Sequence, residues 1–185
     1  GTHIYSELGE EHHMAAFFAK EAEDFLARQK GEDDPFGLVV SFYGPHLPVA
    51  PPKPWDTIYP LDNVPLPANH RDTLEGKPIR QRENRRCYKY GEWTEGQFRD
   101  YVRRYWGYCS YIDHQVGRIL AALDASGKAG DTIVLFTSDH GGRYFPETMQ
   151  AGHRCDAPLN GQKLDVWDGG CRIPFLARWP EHIPE

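Results

Sequence analysis

Residues 132–142 read Thr-Ile-Val-Leu-Phe-Thr-Ser-Asp-His-Gly-Gly. A short apolar, β-branched run that gives way at once to polar groups and glycines is typical of a buried strand followed by a loop. In open α/β sheets, ligands bind beyond the carboxyl ends of the strands. This stretch therefore predicts a buried strand over 132–137 and a candidate functional site directly after it.

The segments around this strand predict alternating helices and strands. Apolar residues spaced three and four apart indicate an amphipathic helix from Ser6 to about Lys30. A longer helix is expected to begin at the capping box of 94–97 and to end near Gly127. The apolar run 36–43 predicts another strand buried on both faces.

A third strand is expected at 173–179, and a long ordered loop at 44–67, where eight prolines exclude helix interiors and central strands. The order helix, strand, long helix, strand, strand indicates an α/β fold. We expect a mostly parallel central sheet flanked by helices.

The composition excludes several classes of protein. The chain has 185 residues, of which 39% are hydrophobic and 13% aromatic, so intrinsic disorder is not expected. Its net charge of −6 argues against a nucleic-acid-binding protein, and no apolar run is long enough for a membrane span. The four cysteines form no C-x-x-C pair, which argues against a zinc cluster or a disulfide scaffold. Cys109 and Cys171 are predicted to be buried small residues.

One segment has the opposite charge to the rest. Residues 71–90 hold seven Lys or Arg and three Asp or Glu. Two interpretations stay open, a solvated surface segment or a contact with an anionic substrate.

Three candidate sites for chemistry follow the predicted strands. The first strand leads into His46, and the second into Asp139 and His140. A carboxylate and an imidazole that precede two glycines suit a divalent cation, although Asp139 could instead cap a simple turn. Lys163 lies in a loop returning to the same edge, either facing the site or solvated at the surface. Arg172, just past the glycine pair 169–170, could form an ion pair with a nearby aspartate.

These motifs in this order closely resemble the sulfatase family of the alkaline-phosphatase superfamily. The resemblance rests on 134–142, on Lys163, on the acid and Gly-Gly-x-Arg-Ile-Pro of 168–174, on Pro45-His46-x-Pro48, on 113–120 and on Arg178-Trp179-Pro180. It implies an alkaline-phosphatase-like fold and a sulfuric ester hydrolase acting on a sulfated small molecule or carbohydrate.

The resemblance also implies roles for individual residues. Asp139 and His140 would bind a metal, with Ca²⁺ expected and Mn²⁺, Mg²⁺ or Zn²⁺ as alternatives. His46 would contact the ester near its bridging oxygen, and Lys163 would bind the sulfate oxygens. His153, in the long loop between the strand and Lys163, is a candidate substrate contact, with an ordinary surface position as the alternative.

The family's nucleophile is a formylglycine made in a C-x-P-S-R-like segment, and none of the four cysteines lies in one. We therefore expect residues 1–185 to be the C-terminal portion of a sulfatase catalytic domain, an incomplete fold without a nucleophile and inactive in isolation. Its partner would be the remainder of that domain. The alternatives are a phosphonate or phosphate ester hydrolase of the same superfamily, or a non-catalytic anion- or metal-binding module. Family members are usually exported, to the periplasm or outside the cell, or lysosomal.

Overall fold

A computed structural model describes residues 6, 9–66, 70–77, 79–141, 158–163 and 165–183. The chain divides into two compact units. The first unit comprises Gly1–His70 and Glu92–Ala129, and the second comprises Arg71–Gly91 and Gly130–Glu185. None of the helices in the described ranges is long and apolar enough to cross a bilayer.

The first unit is built on two packed helices, α1 (Met14–Arg28) and α3 (Glu95–Ser126). Thr94 caps α3 through the predicted capping box, with both reciprocal bonds present, and Gly127 closes the helix in the left-handed conformation at φ 78°. The predicted position and both ends of the long helix are thus confirmed.

Helix α1 begins later than predicted, and alanines make up most of its buried face. Its first residue is Met14, after a short 3-10 turn at Glu10–His12. The buried side chains are mainly alanines, whereas Met14 and Phe17 are 48% and 56% exposed. Small side chains on the buried face let α1 lie close against its neighbours.

The proline-rich segment is an ordered loop, as predicted, and packs onto α3. Val49 and Val64 are almost fully buried, and the buried guanidinium of Arg104 donates to the Val49 carbonyl at 3.3 Å. A Cβ on Gly107 would lie 1.8 Å from the carbonyl oxygen of Trp55, so only glycine allows the loop to approach the helix this closely. This packing places the chain that carries His46.

The strands differ from the expectation of a buried, parallel sheet. In the second unit, β1 (Val134–Thr137) and β2 (Phe175–Arg178) pair antiparallel, with Val134 opposite Arg178. Leu135 and Phe136 are 56% and 50% exposed, so the prediction that this strand is buried is wrong for this chain. No further strand joins the pair within the described residues. A strand is buried on both faces only where other layers cover it, and that depends on contacts beyond the local sequence.

The predicted strand at 36–43 is wrong. These residues form no strand, and Val39 is 93% exposed. An apolar run becomes a strand only when a neighbouring strand accepts its backbone hydrogen bonds. The prediction rested on the apolar pattern alone, which does not show whether a neighbouring strand is present.

Two further features were not expected from the sequence. The basic segment contains a helix, α2 (Ile79–Tyr88), and a four-residue helix, α4 (Asp168–Cys171), precedes β2. Cys109 and Cys171 are both exposed, which corrects their predicted burial. On α3 the buried positions nearest to Cys109 include Tyr108 and Tyr111, and Cys109 lies on another side of the same helix.

His13 gives the first unit a pH-dependent stability. Its Nδ1 accepts a hydrogen bond from the backbone N–H of Ala15 at 3.2 Å and so caps α1. Burial, as the largest effect, lowers the pKa of His13 below its ordinary value of 6.5. The unfolded chain therefore binds the proton more readily. The stabilisation is complete above pH 6.5 and is lost as the pH falls toward the lower pKa of the folded state.

We predict that His13→Asn, which keeps a capping acceptor but does not titrate, flattens the dependence of unfolding free energy on pH. Urea unfolding at about pH 7 and about pH 5 measures it. His12→Asn is the matched control, since the His12 side chain is 68% exposed. An equal loss of stability at low pH in wild type and His13→Asn would contradict this role.

Candidate functional site

The end of β1 brings the two predicted metal ligands together. Asp139 and His140 follow the strand directly, and the His140 Nε2 lies 3.0 Å from the Asp139 Oδ2. The Asp139 carboxylate is 78% exposed, whereas the His140 imidazole is 32% exposed. A half-buried imidazole thus faces an open carboxylate.

The hydrogen bond on the other ring nitrogen fixes which atom of His140 faces Asp139. The His140 Nδ1 lies 2.8 Å from the carbonyl oxygen of Gly141. A carbonyl only accepts, so Nδ1 carries a proton and Nε2 is the ring nitrogen that faces the carboxylate. A lone pair and a carboxylate oxygen at this distance require either a second proton or a cation.

A divalent cation fits this pair of atoms. Ligand distances of about 2.0–2.2 Å are typical of Mg²⁺ and Zn²⁺, and about 2.3–2.6 Å of Ca²⁺. Two donors at a right angle on the shorter bonds lie about 3 Å apart, and the longer Ca²⁺ bonds need only a slightly smaller angle. The described residues contain no group of three His, Cys, Asp or Glu side chains arranged for a metal, so the pair supplies only part of a coordination shell.

A backbone contact joins this strand end to α4. The Gly141 N–H donates to the carbonyl of Gly170 at 2.8 Å. A Cβ on Gly141 would lie 2.0 Å from the Gly169 oxygen, and one on Gly170 would lie 2.2 Å from the Asp165 oxygen. The two backbone segments therefore lie closer together than a Cβ atom permits, and glycine is required at both positions.

The same helix holds the turn that carries Lys163. The Asp165 N–H donates to the carbonyl of Gln162 at 2.8 Å, and the Asp165 Oδ2 accepts from the Gln162 N–H at 3.0 Å. The Gly169 N–H donates to the Asn160 carbonyl at 2.6 Å. Lys163 sits inside this turn, half-buried, and forms no ion pair with any described residue. Its ammonium group is therefore not committed to a described carboxylate.

The side chain of Arg172 does not form the ion pair with a nearby aspartate that the sequence suggested. It is exposed and forms no ion pair with Asp165 or Asp168, although its backbone N–H donates to the Asp168 carbonyl at 2.6 Å. The segment is thus held by backbone hydrogen bonds, and the guanidinium group takes no part in the turn.

His46 lies in the first unit, at the start of the proline-rich loop. Its Nδ1 is 2.9 Å from the carbonyl oxygen of Leu47, so Nδ1 carries a proton and Nε2 points away from the backbone. The ring packs against Tyr43 with centroids 4.9 Å apart. A Cβ on Gly44 would lie 2.6 Å from the buried ring of Tyr108, so the turn is pressed against α3. The result is an exposed imidazole with one nitrogen free for a ligand.

Comparison with known proteins places these features in a family. The sequence profile described as "Sulfatase" matches residues 4–185. The chain belongs to the sulfatase family. This confirms the resemblance drawn from the sequence motifs.

Individual relatives carry sulfatase names. An arylsulfatase of Clostridium perfringens is 33% identical over 177 residues, covering 92% of this chain and 33% of the relative. Iduronate 2-sulfatase of Homo sapiens is 36% identical over 135 residues, covering 66% of this chain and 24% of the relative. The chain therefore spans about a quarter to a third of the length of these curated relatives.

A solved structure supports the fold. The phosphonate monoester hydrolase of Agrobacterium radiobacter superposes with a TM-score of 0.64 at 24% identity, covering 97% of this chain and 35% of that chain. An alkaline-phosphatase-like architecture is thus shown for this sulfatase-family chain, while a parallel central sheet is not.

The sequence identified the polar residues but not the hydrogen bonds that place them. The structure puts Asp139, His140 and Lys163 in one compact unit and links their segments through α4, and it places His46 in the other unit. His153 lies outside the described residues. The bond from Gly141 to Gly170 was missed, although a glycine after each motif was a signal for it.

We predict that Gly170→Ala destabilises the protein by about 3 kcal/mol, because the new methyl group has only backbone atoms to displace. Gly130→Ala is the matched control in the same unit, where a Cβ would meet nothing within 4 Å. Chemical denaturation of both variants measures the difference. Equal stability of the two alanine variants would show that the close approach at Gly170 does not hold the site.

Proposed function

We propose that this chain is the C-terminal portion of the catalytic domain of a sulfuric ester hydrolase. One observation carries the proposal. The Asp139 and His140 pair at the end of β1 is joined through α4 to the turn that presents Lys163. A partial cation site and an ammonium group without an ion pair among the described residues suit a tetrahedral anion better than a neutral substrate. Membership of the sulfatase family supports a sulfate ester as that substrate.

Lys163 binds the oxygens of the sulfate group in this proposal. The turn around it is fixed by backbone hydrogen bonds to α4, so the backbone that carries the ammonium group is in place before substrate arrives. A preorganised positive charge stabilises negative charge that grows on the leaving group and on the sulfuryl oxygens as the S–O bond breaks.

His46 donates a proton to the leaving alcohol. Its Nδ1 is occupied by the Leu47 carbonyl, so the exchangeable proton is on Nε2 when the ring is charged. Transfer of that proton to the bridging oxygen would release a neutral alcohol in place of an alkoxide.

Asp139 and His140 would hold a divalent cation, and Ca²⁺ is our first choice. A cation bound there would neutralise charge on the sulfate oxygens. A carboxylate favours Ca²⁺ and Mg²⁺, whereas the imidazole also tolerates Mn²⁺ and Zn²⁺. Further ligands come from residues other than this pair.

The nucleophile is a formylglycine on a part of the catalytic domain outside these 185 residues. Its hydrated aldehyde supplies the attacking hydroxyl group. We further propose that β1 is an inner strand of a mostly parallel sheet in the whole domain. The apolar side chains of Leu135 and Phe136 and of the facing β2, which are exposed in this chain, would then be covered.

The substrate class and location follow from the family. A sulfated small molecule or carbohydrate is the proposed substrate, with His153 as a further contact. We propose that the whole protein is exported, to the periplasm or outside the cell, or is lysosomal.

The test is hydrolysis of p-nitrophenyl sulfate by the whole protein and by Lys163→Ala. Loss of one preorganised charge donor lowers kcat by about 10²–10³-fold. Lys20→Ala is the control, because it removes the same side chain from an exposed position on α1. A Lys163→Ala enzyme with the turnover of Lys20→Ala would contradict the assigned role.

The same assay with p-nitrophenyl phenylphosphonate separates the alternative function. A kcat/KM for the phosphonate above that for the sulfate would make the protein a phosphonate monoester hydrolase. Turnover of neither ester by the whole protein would favour a non-catalytic anion- or metal-binding module.

The metal proposal is tested by His140→Asn and Asp139→Asn. We expect His140→Asn to lower Zn²⁺ affinity by at least about tenfold and to leave Ca²⁺ affinity nearly unchanged, because an amide oxygen is a good Ca²⁺ ligand and a poor Zn²⁺ ligand. Asp139→Asn should weaken binding of both ions. Calorimetric titration of the metal-free protein measures these affinities. Unchanged binding of both ions by both variants would place the metal elsewhere.

A further inference from the structure

The basic segment is a strong local departure from the charge of the chain. Residues 71–90 hold seven basic and three acidic residues, whereas the rest of the chain holds 14 basic and 24 acidic ones. Solubility needs charge of either sign spread over the surface, not positive charge concentrated in one segment of an acidic protein.

Helix α2 within this segment is not held by burial of an apolar face. Its apolar residue Ile79 is 63% exposed, and its other described side chains are polar or charged, apart from an exposed cysteine. A helix that is polar on all sides gains little from packing. The arginines on α2 are therefore not simply the solvent-facing side of an amphipathic helix.

Some of the basic side chains have structural partners. Lys77 forms an ion pair with Asp72, and the Arg85 Nη1 donates to the Asp72 backbone carbonyl at 2.6 Å. The Asp72 Oδ1 accepts from the Leu74 N–H at 2.7 Å. Lys77 and Arg85 thus fix the turn that precedes α2.

Among the other basic side chains, Arg82, Arg86 and Lys89 are exposed and form what we call the basic face. Arg82 and Arg86 are four residues apart on α2, so they share one side of the helix about 6 Å apart, and Lys89 directly follows the helix end. All three are exposed, and Arg86 is 76% exposed. Within the described part of the chain, Glu83 offsets some of this charge, since its Oε2 accepts two bonds from Arg86 at 2.7 and 3.1 Å.

Lys89 adds an independent observation. It follows the last residue of α2 with φ 55°, in the left-handed region where glycine is favoured at a helix end. A lysine at this position costs stability relative to glycine. A charged side chain in a position that favours glycine is consistent with a role for the charge.

We propose that the basic face binds a saccharide chain carrying several sulfate groups, and so extends the substrate contact beyond the ester that is cleaved. The inference rests on the proposed sulfatase function. One guanidinium group can donate two parallel hydrogen bonds to two oxygens of a sulfate group. Several neighbouring cations can each bind one sulfate group of a polymer that carries many. The face belongs to the same compact unit as Asp139 and Lys163.

The experiment compares Arg82→Gln/Lys89→Gln with wild type in the whole protein. We expect affinity for dextran sulfate to fall about tenfold or more at low salt, and its salt dependence to become shallower, since fewer counterions are exchanged. kcat/KM for p-nitrophenyl sulfate should stay unchanged, because a single small ester does not reach the face. Arg28→Gln/Lys30→Gln is the matched control, removing one exposed Arg and one exposed Lys at the end of α1.

A second variant acts in the opposite direction and cannot be explained by misfolding. Glu83→Gln removes the carboxylate that pairs with Arg86, so affinity for dextran sulfate should rise. Uncharged dextran should not bind to this variant or to wild type. Weaker or unchanged binding by Glu83→Gln, or equal losses in the two double variants, would overturn the proposal. Selective loss of duplex DNA binding instead of dextran sulfate binding would also overturn it.

Failure of the proposed function gives a different pattern. A wild-type protein that does not cleave p-nitrophenyl sulfate contradicts the hydrolase assignment. The affinity ratios for dextran sulfate still decide whether the basic face binds a sulfated polymer.

Discussion

The close backbone approach between the strand end and α4 is the constraint on which the site depends. The Gly141 N–H reaches the Gly170 carbonyl only because neither residue has a Cβ, and α4 in turn holds the turn of Lys163. Hydrogen bonds between backbone atoms define positions better than contacts between long side chains. The site thus has a fixed frame on which flexible charged groups are mounted.

The same backbone frame also determines which nitrogen of the His140 ring faces Asp139. The Gly141 carbonyl accepts a hydrogen bond from the His140 Nδ1, while the N–H of the same residue donates to the Gly170 carbonyl. One glycine therefore couples the tautomer of the metal-facing imidazole to the position of α4. The His140 Nε2 then faces the Asp139 carboxylate, and a cation bound between the two would be held by both.

The sequence predicted correctly those features whose physical cause lies within a few neighbouring residues. The ends of α3 were predicted correctly because the cap at Thr94 and the glycine at 127 act within one turn of helix. The burial of β1 and the strand at 36–43 were not, because both depend on neighbouring layers that the local pattern does not contain. Helix α2 was missed because its sequence is mostly arginine and other polar residues and shows no apolar period. The pairing of Asp139 with His140 was expected from adjacency, whereas the His140 tautomer depends on where one carbonyl points.

The central claim is that Asp139, His140 and Lys163 form a single site for a cation and a tetrahedral anion. The most direct measurement is anomalous X-ray diffraction from crystals of the whole protein soaked with Mn²⁺ and orthovanadate. The account predicts a Mn²⁺ peak on both the Asp139 carboxylate and the His140 Nε2, with the Lys163 Nζ within hydrogen-bonding distance of a vanadate oxygen. A peak bound by other residues, or vanadate bound without contact to Lys163, would contradict it.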